Sequence, residues 1–77
     1  MPTVEKTIGT EMQLTINGET KEYSATMTVG ELLETLGLQN HYVAVECNLK
    51  VISYTKYDEV TLVDGDRLEI VTLVGGG

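Results

Sequence analysis

One stretch of this chain, "TVGELLETLGL", places apolar residues at helical spacing: Val29, Leu32, Leu33 and Leu36 share a face. That single helix sets the folding problem, because the apolar side of each strand must find cover against its one stripe. Thr28 with Glu31 three residues later forms a capping-box signature, and Gly37 can take the left-handed conformation that ends a helix. The helix therefore runs from about Val29 to Leu36.

Elsewhere the pattern has period two. Met12, Leu14 and Ile16 face one way and Gln13 and Thr15 the other, before Asn17-Gly18, the pair best suited to a tight hairpin turn. A return strand is expected from about Thr20 to Ser24. Beyond the helix, Tyr42 to Cys47 is rich in strand formers, and "NLKVI" continues as a turn and a short strand. An irregular "SYTKYDE" is followed by "VTLV", the turn "DGD" and a last strand, "RLEIVTLV". Hairpin, helix, then further strands make an α+β fold, a mixed sheet of four to five strands packed on one main helix. The inward faces supply the expected core: Leu32, Leu33 and Leu36 against Leu14, Ile16, Val43, Val45, Leu68 and Ile70. With Leu68 and Ile70 turned inward, Glu69, Val71 and Leu73 point away from the helix and become candidate partner-binding residues, with Val74 beside them.

A length of 77 residues suits one domain. Its hydrophobic content of 42% is that of a globular chain. Residues 1–11 carry no sustained periodicity and are expected to form a loosely ordered extension, although "TVEKTIG" could add a short edge strand. The folded domain is then 12–74, with a flexible tail at 75–77. Twelve acidic residues against five basic ones leave a net charge of -7, which opposes nucleic-acid binding. The same charge favours protein partners with basic docking surfaces, or serves solubility alone. Without an apolar run of membrane-spanning length or a secretory leader, the chain is expected to be cytoplasmic and to bind no membrane.

Residues able to do side-chain chemistry are sparse. Cys47, the one cysteine, excludes an internal disulfide and a multi-cysteine metal site, and its alternation with Val43 and Val45 reads as a small buried hydrophobe. His41 has no companion ligands and reads as a loop residue. Asp64 to Asp66 lacks the further oxygen ligands of a calcium loop and reads as a turn. No metal site is expected, and nothing in these residues makes the protein an enzyme.

The chain stops at "VTLVGGG", where glycines contribute no packing and have the largest backbone entropy to lose. What they offer is a narrow backbone leading to a carboxylate. "LVDGDRLEIVTLVGGG" resembles the end of the thiamine-biosynthesis sulfur carriers of the ThiS family, ubiquitin-like β-grasp proteins whose last strand runs into Val-Gly-Gly or Val-Gly-Gly-Gly. The likeness extends over Met12 to Gly77, taking in "NGE", "TVGELLETL" and "VAVECNLKVI"; the family usually lacks an extension like residues 1–11. The resemblance implies that Gly77 is the reacting residue through its main-chain carboxylate, delivered by Gly75 and Gly76. It implies an E1-like, ThiF-like adenylyltransferase that uses ATP and magnesium, a sulfur donor system, and a ThiG-like thiazole synthase that receives the sulfur, with no cofactor bound to the carrier itself. Two other readings stand beside it: the small sulfur-carrying subunit of molybdopterin synthase, whose proline and aromatic residues before the diglycine are missing here, and a ubiquitin-like modifier that forms isopeptide bonds.

Overall fold

The computed structural model describes residues 12–38 and 42–73. The expected extension at 1–11, His41, and Val74 with the three terminal glycines lie outside the described residues. The chain opens with β1 (Met12–Ile16) and β2 (Glu19–Tyr23), an antiparallel hairpin in register from Met12 opposite Tyr23 to Ile16 opposite Glu19. Its turn is the expected one, with φ of 50° at Asn17 and 85° at Gly18. Helix α1 (Val29–Thr35) starts with a complete capping box: the Glu31 N–H donates to Thr28 Oγ1 at 3.1 Å and the Thr28 N–H to Glu31 Oε1 at 2.9 Å. It stops one residue before the expected end, with Leu36 as C-cap and Gly37 at φ 78°.

Three more strands follow: β3 (Val43–Cys47), β4 (Lys50–Ile52) and β5 (Arg67–Thr72). The sheet order is β2-β1-β5-β3-β4, with β5 parallel to β1 and antiparallel to β3. The last strand in sequence is thus the central strand in space. "VTLV" makes an isolated bridge, Thr61 with Thr28, because its partner segment becomes helix immediately afterwards and offers no ladder to continue. Two backbone bonds still tie it down, the Val29 N–H to Val60 O at 3.0 Å and the Leu62 N–H to Met27 O at 2.8 Å.

The core lies between α1 and one face of the sheet. Met12, Leu14, Ile16, Val29, Leu32, Leu33, Val43, Val45, Leu68 and Ile70 are all buried there, as alternation and helical spacing require. Leu36 is partly buried and packs on the edge of this cluster. Two fully buried members come from segments without periodicity. Leu62 is carried inward by the bridged run, and Tyr57 follows a single 3-10 turn (Tyr54–Lys56). The Tyr57 hydroxyl donates to Val43 O at 3.2 Å, satisfying its polar end inside the core, and burial raises its pKa so that it keeps this proton. Tyr57 O in turn accepts the Gly30 N–H at 2.9 Å, so the loop that closes the core also holds the first turn of the helix.

Leu33 is fully buried at the centre of this cluster, so Leu33→Ala is expected to destabilise the fold by about 2–5 kcal/mol. A chemical-denaturation midpoint indistinguishable from that of the parent protein would overturn the packing just described.

Candidate functional site

The side of the sheet turned away from α1 carries no helix among the described residues. Its residues follow from register. Along β5 the outward positions are Arg67, Glu69 and Val71, and Leu73 continues the alternation. On β3 they are Ala44, opposite Val71, and Glu46, opposite Glu69; on β4, Val51 lies opposite Glu46. The outcome is a face graded along β5. Val71 and Leu73 are 57% and 53% exposed at the end leading to the tail, while Val51 at 76% and Leu49 at 90% stand at the opposite side and end. Between them lies the carboxylate pair Glu46–Glu69. Neither glutamate, nor Arg67, makes an ion pair with another described residue.

Sequence reasoning named Glu69, Val71 and Leu73, and the structure brings them to this one face. Val74, Gly75, Gly76 and Gly77 lie outside the described residues. Ala44, Glu46 and Val51 were missed, although the inward assignment of Val43 and Val45 already required Ala44 and Glu46 to point outward. Leu49 could not be found this way, because it sits in a turn where alternation fails.

Two asparagines fix the edges of the face. Asn17 ends β1 with its chain turning away, yet its side chain stays against β5: Oδ1 accepts the Ile70 N–H at 2.7 Å and Nδ2 donates to Ile70 O at 3.1 Å. The amide replaces the strand residue that the hairpin turn has taken away. Asn48 does similar work at the other end, where Oδ1 accepts the Arg67 N–H at 3.0 Å and its own N–H donates to Arg67 O at 2.8 Å. The turn joining β3 to β4 consists of Asn48 and Leu49, with φ of 53° and 71°. Positive φ suits asparagine, whereas for leucine it costs roughly 1–2 kcal/mol.

The aspartates of the Asp64–Asp66 turn are used within the chain. Asp64 Oδ1 accepts the Gln13 N–H at 2.7 Å, and Asp66 takes the Val63 N–H on Oδ2 at 2.9 Å and Asn48 Nδ2 on Oδ1 at 3.0 Å. Among the described residues no three histidine, cysteine or acidic side chains gather as a metal site, and no helix is long and apolar enough to cross a membrane.

Comparison with known proteins gives this face and tail a context. Residues 14–77 match the model of the ThiS family. The sulfur carrier protein ThiS of Bacillus subtilis (strain 168) is 42% identical over 65 residues, which cover 83% of this chain and 98% of that protein. A thiazole synthase of Paramagnetospirillum magneticum is 50% identical over 66 residues, covering 86% of this chain but 20% of the longer protein. The chain thus spans a fifth of that relative's length. The crystal structure of the thiamine biosynthesis protein ThiS from Geobacter metallireducens superposes with a TM-score of 0.74 at 38% identity, covering 86% of this chain and 100% of that one.

Cys47 closes β3 on the inner side, half-buried against the core and opposite Leu68, in keeping with its expected packing role. Burial raises its pKa first, and the charge and hydrogen-bonding oxygen of Asp66 raise it further. Since the thiolate is the nucleophile, a raised pKa leaves less of it at neutral pH. Iodoacetamide is therefore expected to label Cys47 more slowly at pH 7.5 than it labels a free cysteine peptide, with the rate climbing only as the pH passes above the ordinary thiol range. Labelling at the peptide's rate would contradict this placement.

Proposed function

Because the chain belongs to the ThiS family, we propose that it carries sulfur for thiazole formation in thiamine biosynthesis, as a thiocarboxylate at Gly77. The observation that carries this reading is the reach of the family match: it runs through residue 77 and so includes the glycines as well as the domain. A carboxylate is a poor electrophile and needs activation. A Gly77 carboxylate oxygen would attack the α-phosphorus of ATP, with magnesium, in an E1-like adenylyltransferase; pyrophosphate leaves and an acyl-adenylate forms. A sulfide sulfur supplied by the donor system then adds to the acyl carbon and AMP departs. The carrier acts as a cosubstrate in this scheme, and the chemistry belongs to its cytoplasmic partners.

Glycine suits that role physically. Four extended residues, Val74 to Gly77, reach about 13 Å. At that depth a narrow passage admits backbone but not Cβ atoms, so Gly75 and Gly76 deliver the end that reacts. From Ile70 onward no side chain is charged, and none must lose its hydration as the strand end enters a partner. The outer face then supplies the docking surface, Val71 and Leu73 as anchors and Glu69 as a steering charge. A thiazole synthase is the second partner in this reading, supported by the segment similar to this chain that is found within a protein of that name.

Two measurements test the proposal. Incubation with ATP, magnesium, the adenylyltransferase and a sulfide donor is expected to raise the intact mass by the replacement of one oxygen with one sulfur at Gly77. Removing Gly76 and Gly77 should abolish the gain with the denaturation midpoint nearly unchanged; equal thiolation of the truncated chain, or recovery of Gly77 in isopeptide conjugates, would refute the carrier role. Separately, Leu73→Asp is expected to weaken binding to the adenylyltransferase by roughly tenfold or more. Glu69→Lys should mainly slow association. Parental affinity of the Leu73 variant would remove the outer face from the interface.

A further inference from the structure

We propose that Leu49, at the tip of the β3–β4 turn, is a rigid docking anchor that enters an apolar socket on a protein partner, with basic side chains around that socket meeting Glu46 and Glu69. The proposal rests on the carrier reading above for the identity of the partners and extends the docking surface to the end of the sheet far from the tail.

The first observation is a conflict between residue and backbone. Both residues of this two-residue turn have positive φ, the requirement of a type I′ turn, and the pairing that meets it at least cost is Asn-Gly. The other hairpin of the chain uses that pair, Asn17-Gly18. Here glycine is replaced by leucine, held at φ 71° and 90% exposed, so folding gains neither relief of the backbone nor burial of the side chain. A single exposed leucine is ordinary; an exposed leucine held in a left-handed conformation is not.

The second observation is rigidity. Asn48 makes two hydrogen bonds to the main chain of Arg67 and a third to Asp66, so the tip is fastened to the start of the central strand. An anchor already held in place has little freedom left to lose on binding.

The third is charge. Leu49 borders a shallow groove whose other walls are Glu46, Asn48, Arg67 and Glu69. Glu46 and Glu69 sit directly opposite each other on neighbouring strands, and like charges at such positions destabilise a sheet. With no ion-pair partner among the described residues and a chain net charge of -7, this pair is complementary to a cationic rim on whatever covers Leu49. Arg67 to Leu73 is seven residues of extended chain, about 20 Å from first to last. One partner footprint of ordinary size, about 800 Å² on each side, covers that span.

The test separates docking from folding by the opposite signs expected of one substitution. Leu49→Gly should raise the thermal midpoint, because the turn becomes Asn-Gly. It should also weaken binding to the adenylyltransferase or to the thiazole synthase of the same organism by roughly tenfold. Leu49→Ala, which keeps a Cβ at positive φ, should weaken binding without raising the midpoint. Replacing both glutamates, Glu46→Gln with Glu69→Gln, should flatten the dependence of the association rate on ionic strength. Parental affinity of Leu49→Gly for both enzymes would overturn the anchor, and an unchanged salt dependence would overturn the basic rim. Failure of the parent chain to acquire sulfur at Gly77 would count against the carrier reading alone, since the affinities are measured without turnover.

Discussion

A seven-residue helix can shield one face of a five-stranded sheet, and among the described residues no element packs on the other face. The inner side is closed by Leu32 and Leu33 from the helix and by alternate residues of β1, β3 and β5, with Tyr57 and Leu62 filling the remainder. Among the described residues no second layer covers Val51, Val71 and Leu73. Exposure on that side is therefore a consequence of architecture, and the identity of the side chains placed there is where function can be read.

The central position of β5 couples this face to the tail. β5 pairs with β3 from Cys47–Leu68 to Val43–Thr72, but with β1 only at Thr15–Arg67 and Ile16–Leu68 before β1 turns away. Asn17 lends its side-chain amide to Ile70 where the backbone of β1 is no longer present. Support thus lessens along the strand: two flanks to Ile70, then β3 at Thr72, then the Leu73 N–H donating to Tyr42 O at 2.6 Å. A strand that is anchored early and held on one side late can present its end without opening the core.

Local and global preferences agree nearly everywhere in this fold. The capping box, the Asn17-Gly18 turn and the left-handed Gly37 each meet the geometry they are suited to. Disagreement gathers on the outer face, in facing glutamates and in a leucine at positive φ. Conflicts that collect at one place, away from the core, point to selection for something other than stability.

The sequence by itself determined the helix, its caps, both hairpin turns and the inward set on β1, β3 and β5, because these depend on spacing within short segments. From Leu68 and Ile70 it also followed that Glu69, Val71 and Leu73 share the outward side. Tertiary structure decided what spacing cannot encode. It placed β5 between β1 and β3, so that Glu46 faces Glu69 and Ala44 faces Val71. It reduced "VTLV" to a bridge by turning its partner into a helix, and it drew Tyr57 from an aperiodic loop to a hydrogen bond with Val43 O. It set Leu49 beside Arg67, eighteen residues further along the chain. Each of these rests on contacts between distant segments, whose partners are chosen by the way a whole sheet packs on one helix and not by the residues on either side.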